Sequence, residues 1–395
     1  MLSQLLAVII TFIILSLGLC SDIKDCISSA TDLYCIVEDT SGNMVLAKDI
    51  DKRFNPASTL KILTSLVALN KLGSDYRFKT EFYLSKDNNL KIKGYGDPFL
   101  ISEVLNEIAK NIAKRVSAVK DIIIDDSYFT KIKIPGVGTS LNPYDAPVGA
   151  FCVNFNTIYV RVYKNKFFSA EPQTPLIPFA LRLLKKMGIK ESGRYTLCHD
   201  PKIAEIYAGR LFLYFLKRYG VKVSGDVMIG KVRQTDVLIE TYYSTYTLKE
   251  IIKEMMKYSN NFIANQILLV LGAELYGPPA TLDKGIKAIK EYAGNQLGIK
   301  DIEIVEGSGI SKEDLISCRD MGIILKKFRP YMELLPRNRN VYYKTGTLKG
   351  ISTRAGYIVT PNHTYIFMLF LKGDSIQADN ILNCIVSTIS PKGIP

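Results

Sequence analysis

Three short elements follow one another along the chain: Ser58-Thr59-Leu60-Lys61, Ser259-Asn260-Asn261 and Lys344-Thr345-Gly346-Thr347. A serine hydroxyl is a weak nucleophile at neutral pH and needs a base within hydrogen-bond reach. Ser58 and Lys61 stand three positions apart, a spacing that puts both side chains on one face of a helix. Lysine serves as base only when neutral, and burial together with the nearby positive charge of Lys344 would disfavour its ammonium form. Ser259 can relay a proton to a leaving amine, and the Asn261 amide can hold a substrate carbonyl. The Lys344 charge with the hydroxyls of Thr345 and Thr347 would bind a carboxylate, while Gly346 lets a substrate backbone approach closely. The N–H of Ser58, at a helix start, could join that of Thr347 to cradle a tetrahedral oxyanion. Together these are the parts needed to cut a peptide beside its free C-terminal carboxylate.

Each element alone is weak, since helix capping by itself explains a Ser-x-Asn. The force lies in the joint pattern S-x-x-K, S-x-N, K-T-G in that order. Other hydrolytic chemistries fare worse. The chain has two histidines, His199 and His363, and no G-x-S-x-G elbow for a Ser-His-Asp enzyme. Neither H-E-x-x-H, C-x-x-C nor another metal-ligand spacing occurs, so no metal or cofactor is expected.

The elements that must position these groups can be read from punctuation and periodicity. Pro56 precedes and Gly73 follows a run from Ala57 to Leu72 that is apolar nearly all round, which predicts a buried helix carrying Ser58 and Lys61. Leu248 to Lys257 and Phe262 to Leu275 predict two helices joined and capped by Ser259-Asn260-Asn261. Residues 341–345 and 354–359 read as strands around Lys349-Gly350, followed by a strand from Tyr365 to Leu371 and a closing helix from Ser375 to Thr388. At the other end, Leu33 to Asp39 and Met44 to Ala47 form a hairpin over Ser41-Gly42-Asn43. The expected fold is α+β: an antiparallel sheet flanked by helices, assembled from residues 21–83 and 246–395. Residues 84–245 differ, with short strands such as Asp121 to Asp125, Thr157 to Val162 and Val227 to Val232 between Gly- and Pro-rich turns, and read as a large inserted, strand-rich domain.

Residues 1–20 carry no charged side chain, and Leu5 to Leu19 is almost unbroken apolar sequence, the length of a signal-peptide core rather than a membrane span. An exported, periplasmic or extracytoplasmic protein is expected, with a cleaved leader or an N-terminal anchor. Beyond Cys20, cysteines 26, 35, 152, 198, 318 and 384 remain, as disulfides or as buried thiols. The net charge of +13 is scattered, with no basic run longer than a pair. It fits attraction to anionic envelope polymers or peripheral contact with a membrane surface, and no nucleic-acid module accompanies it.

The chain resembles the penicillin-recognising serine D-alanyl-D-alanine carboxypeptidases with a large insertion between the first two motifs, the DacB or penicillin-binding protein 4 type. Besides the three elements, the resemblance rests on Gly94-Tyr95-Gly96-Asp97-Pro98, Asp125-Asp126-Ser127-Tyr128-Phe129, Tyr144-Asp145-Ala146-Pro147-Val148, Gly307-Ser308-Gly309 and Ala355-Gly356-Tyr357. It implies a β-lactamase/transpeptidase-like domain with inserted domain material. It also implies removal of the terminal D-alanine from peptidoglycan stem peptides, cleavage of D,D-cross-links, and acylation by β-lactam antibiotics. Ser58, Lys61, Ser259, Asn261 and Lys344 would be catalytic, with Thr345, Gly346 and Thr347 binding substrate. A serine β-lactamase, or an inactive cell-wall-binding relative, is the alternative.

Overall fold

Strand Leu33–Asp39 buries Leu33, Cys35 and Val37 on one face and Ile36 and Glu38 on the other, so it must sit inside a sheet covered on both sides. The computed structural model, which describes residues 23–28 and 30–390, shows how. Six antiparallel strands run in the spatial order Arg337–Asn338, Val341–Leu348, Ile351–Val359, Thr364–Leu371, Leu33–Asp39 and Met44–Lys48. The closing helix Ser375–Ile389 covers one face with Ala378, Ile381, Leu382 and Ile385 packed against Leu33, Val37, Phe367 and Leu369. On the other face lies helix Cys318–Phe328, where Tyr357 Oη donates to Leu325 O at 2.6 Å and Lys326 pairs with Glu38 at 2.9 Å. A disulfide between Cys26, ahead of strand Leu33–Asp39, and Cys384 fastens that segment to the closing helix. Cys35, Cys152 and Cys318 are buried thiols and Cys198 is half-buried. The leader expected over residues 1–20 lies outside the described residues.

The chain divides into two compact units. The first comprises the described residues up to Leu66, Glu291–Ile304 and those from Gly309 onward, and contains the six-stranded sheet. Val67–Lys290 with Val305–Ser308 forms the second, which therefore holds helices Leu248–Tyr258 and Asn261–Tyr276 in addition to residues 84–245.

In the second unit a five-stranded sheet runs Val227–Ile229, Ile122–Asp125, Leu90–Gly94, Lys79–Leu84, Val237–Tyr243, the first three strands mutually parallel and Lys79–Leu84 antiparallel to both its neighbours. Helices Ser102–Ala113 and Pro201–Arg218 pack on it through Leu105, Ile108, Ala208, Leu211 and Phe215. A smaller antiparallel sheet, Gly193–Thr196, Thr157–Tyr163, Lys166–Ser169, adds Ile158 and Val160 to the same core. Residues 84–245 are thus strand-rich but also helical, because Val104, Leu105, Ile108 and Ile112 recur at helical spacing.

Candidate active site

Pro56 opens a single 3-10 turn, Ala57–Leu60, that runs into helix Lys61–Leu72, so Ser58 sits one turn before the α-helix proper. Lys61 Nζ donates to Ser58 Oγ at 2.9 Å. The lysine is fully buried and the serine half-exposed, an amine in the protein interior against a hydroxyl that a ligand can reach.

The backbone of this turn is held under constraint. Ala57 has φ +46°, a left-handed conformation that a non-glycine residue adopts at a cost of order 1–3 kcal/mol. Asn55 compensates: its Oδ1 accepts from Ala57 N at 2.9 Å, and its Nδ2 donates to Ser311 O and Asp314 O at 2.8 and 3.0 Å. Pro56 O accepts from the hydroxyls of Thr59 at 2.6 Å and Thr353 at 2.8 Å. Sequence reading passed over Asn55 and Thr353; the only sign of Asn55 was a polar residue directly before the proline.

Strand Val341–Leu348 lies against this turn. A Cβ added to Gly346 would stand 2.9 Å from both Ser58 N and Ala57 Cβ and 2.2 Å from Thr353 Oγ1, so only glycine lets strand and turn come this close. The neighbouring strand Arg337–Asn338 pairs only with Val341 and Tyr342, which leaves residues 343–348 at the sheet edge. Tyr343 N donates to Pro336 O on that side. Strand alternation turns the N–H groups of Thr345 and Thr347 the same way, outward from the sheet. Such an edge can accept an extended peptide as a further strand.

Lys344 is 1% exposed. Its ammonium donates to Thr345 O at 2.7 Å. Burial, and secondarily the Arg354 guanidinium, lower its pKa to about 7. Near neutrality Lys344 is therefore divided between charged and neutral forms. Arg354 is itself buried and bound to Asp379 Oδ1 at 2.8 Å and Thr353 O at 2.9 Å. The side chains of Thr345 and Thr347 are exposed, and the Thr347 hydroxyl stands 3.4 Å from Ser375 Oγ.

Ser259 and Asn261 belong to the second unit. Ser259 is the left-handed C-cap of helix Leu248–Tyr258, at φ +53°, and Asn260 caps the next helix by accepting from Ile263 N at 3.0 Å. Asn261 opens that helix, Asn261–Tyr276, whose face from Phe262 to Ala273 is buried all round. Both Ser259 and Asn261 line a cavity of about 650 Å³ with Tyr144, Phe155, Arg194 and Glu254. Gln266, one turn beyond Asn261, accepts from Gly149 N at 3.3 Å and donates to Gly149 O at 3.0 Å and Gly96 O at 3.3 Å. It ties the segment 94–98, and the residue directly after the segment 144–148, to the helix, and nothing in its sequence context announces that.

The sequence matches the D-Ala-D-Ala carboxypeptidase 3 (S13) family over residues 25–184 and 199–336. It is 23% identical to the D-alanyl-D-alanine carboxypeptidase DacB of Haemophilus influenzae, spanning 90% of this chain and 88% of that protein. The fold is similar to the crystal structure of penicillin-binding protein 4 from the same organism, with TM-score 0.76, 19% identity and coverage of 94% and 98% of the two chains. It is also similar to a predatory peptidoglycan endopeptidase of Bdellovibrio bacteriovorus, with TM-score 0.54, 18% identity and coverage of 92% and 94%.

Proposed function

We propose a catalytic cycle for this chain, which belongs to the D-Ala-D-Ala carboxypeptidase 3 (S13) family and is a serine-type D-alanyl-D-alanine carboxypeptidase. The observation that carries the cycle is the 2.9 Å hydrogen bond from Lys61 Nζ to Ser58 Oγ, at a turn pressed against a sheet edge by Gly346. Neutral Lys61 takes the Ser58 proton as Oγ attacks the carbonyl of the penultimate D-alanine. The N–H groups of Ser58 and Thr347 hold the oxyanion. The substrate backbone lies along the edge at residues 343–348, with its terminal carboxylate received by Lys344 in its protonated form and by the Thr345 and Thr347 hydroxyls. Ser259 as proton relay and Asn261 as holder of a substrate carbonyl are assigned on their motif positions. Collapse of the intermediate expels D-alanine, and water then releases the shortened peptide from Ser58.

A β-lactam would enter the same cycle as far as the acyl-enzyme; the DacB structure of Haemophilus influenzae has been obtained with a β-lactam bound. Cleavage of D,D-cross-links is the second activity we assign, supported by the fold likeness to a peptidoglycan endopeptidase and by the roomy cavity beside Ser259 and Asn261. Export behind the leader at residues 1–20 is supported by the Cys26–Cys384 disulfide, which persists only under oxidising conditions. Residues 84–245 would then be the insertion that sets the family's first two motifs far apart. Peripheral attraction to anionic surfaces follows from the net charge of +13.

Labelling with a fluorescent penicillin tests the nucleophile. Wild type should give a long-lived adduct and Ser58→Ala none. Equal labelling of the two would remove Ser58 from the mechanism, and rapid turnover of the penicillin would turn the reading toward a β-lactamase.

A further inference from the structure

The outer face of the small sheet Gly193–Thr196, Thr157–Tyr163, Lys166–Ser169 has a composition that packing does not explain. Its inner face is ordinary core, with Ile158 and Val160 buried. On the outer face Tyr159, Tyr163 and Phe168 are 41%, 63% and 43% exposed. Register sets a cation opposite each aromatic: Arg194 against Tyr159, Arg161 against Phe168, Lys166 against Tyr163. The Arg194 guanidinium lies 5.2 Å from the Tyr159 ring centre, and Lys164 Nζ lies 5.4 Å from that of Tyr163. Tyr159, Tyr163 and Phe168 thus form one exposed aromatic set interleaved with Arg and Lys on the solvent side of the sheet.

The face is continuous with the cavity beside Ser259 and Asn261. Thr157 and Arg194, at its inner end, line that cavity, and Arg194 is paired there with Glu171. From Thr157 to Tyr163 the strand extends the face outward by roughly 20 Å.

We propose that this sheet face is a docking platform for the glycan strand of peptidoglycan. Aromatic rings stack on the apolar faces of pyranose sugars. The interleaved guanidinium and ammonium groups donate to hydroxyl, amide carbonyl and carboxylate oxygens along the same polymer. A lipid surface would call for a continuous apolar patch that can insert, whereas here Tyr159, Tyr163 and Phe168 each stand singly against a cation. The proposal rests on the cell-wall reading of the same chain and adds what holds the polymer while its peptide branches are processed.

The test is co-sedimentation of the whole protein with insoluble peptidoglycan and with glycan strands stripped of their peptides, comparing wild type with the Tyr163→Ala/Phe168→Ala double variant. Fluorescent-penicillin labelling of both proteins reports folding and the catalytic reading independently. The expected result is a loss of glycan affinity of about tenfold or more in the variant, with penicillin labelling retained. Equal sedimentation of the two proteins with peptide-free glycan would overturn the platform, whatever the labelling shows. So would a wild type that binds anionic lipid vesicles or polyglutamate but not peptide-free glycan, since the face would then be attracting charge alone. Should the variant lose labelling through misfolding, Arg161→Gln read on peptide-free glycan decides by the same criterion.

Discussion

An amine held near pKa 7 is half-protonated at neutral pH, and that is the condition in which Lys344 would meet a substrate carboxylate. Only the ammonium form attracts the carboxylate. For a peptide with a free C-terminus, kcat/KM should therefore fall by up to about tenfold per pH unit above 7. The amidated peptide and the Lys344→Ala enzyme should both lack that limb. A free-acid substrate whose kcat/KM stays level from pH 7 to 9 would remove Lys344 from carboxylate binding. The same shift bears on stability. In the unfolded chain this lysine titrates near its ordinary 10.5, so between about 7 and 10.5 the unfolded state binds more protons and stability rises with pH. Below 7 both states are protonated, and the full cost of a buried charge is present. Replacing Lys344 by Met should thus stabilise the fold by about 1–3 kcal/mol at pH 6 and by less at pH 9.5, measured by urea denaturation. A stabilisation equal at the two pH values would mean that burial does not disfavour the charge.

The turn at Ser58 and the strand at Lys344 work as a pair because Gly346 removes the atom that would separate them. Gly346→Ala places a methyl carbon 2.2 Å from Thr353 Oγ1 and 2.9 Å from Ser58 N, so strand, turn or the Thr353 side chain must shift by about an ångström. The overpacking should cost about 1–3 kcal/mol of stability, while acylation by a β-lactam should slow by ~100-fold if the N–H groups of Ser58 and Thr347 are the oxyanion donors proposed above, because they would move apart. Stopped-flow acylation beside a thermal melt separates the two effects; wild-type acylation in a properly folded variant would mean the approach is not needed for chemistry. How far sequence reached differs from element to element for physical reasons. The helix ending at Leu72, the strand Leu33–Asp39 and the closing helix were readable because Pro, Gly and an unbroken apolar pattern mark them. Helices Ser102–Ala113 and Pro201–Arg218 were passed over, their stripes lying among turns that suggested strands alone. At the site, motif spacing singled out Ser58, Lys61 and Lys344, and the structure sets Lys61 Nζ 2.9 Å from Ser58 Oγ. Asn55, Gln266 and the Thr353 hydroxyl act through contacts with residues distant in sequence, which no local pattern encodes. The outward turn of the Thr347 side chain toward Ser375 likewise depends on the sheet rather than on the motif.

The six-stranded sheet is completed by pairing the first strand of the chain, Leu33–Asp39, with the last, Thr364–Leu371. The unit that contains it is therefore discontinuous, and its core closes only when the last segments of the chain are present. Such non-local pairing carries a large loop-closure cost in the unfolded state. The disulfide from Cys26 to Cys384, spanning 358 residues, acts on that cost by restricting the unfolded chain. Cys26→Ser or Cys384→Ser should then lower stability by about 3–5 kcal/mol in denaturant titrations, and reductant should do the same to wild type but not to the variants. Cys35, Cys152, Cys198 and Cys318 are already thiols, so among the described residues reductant has no other disulfide to break. Penicillin acylation at low temperature should survive, because the linkage ties the far face of the sheet rather than the turn that bears Ser58. If reductant destabilises the Cys384→Ser protein as much as wild type, another pair of cysteines must be carrying the effect. If neither responds, the chain ends are held by the sheet and its apolar core alone.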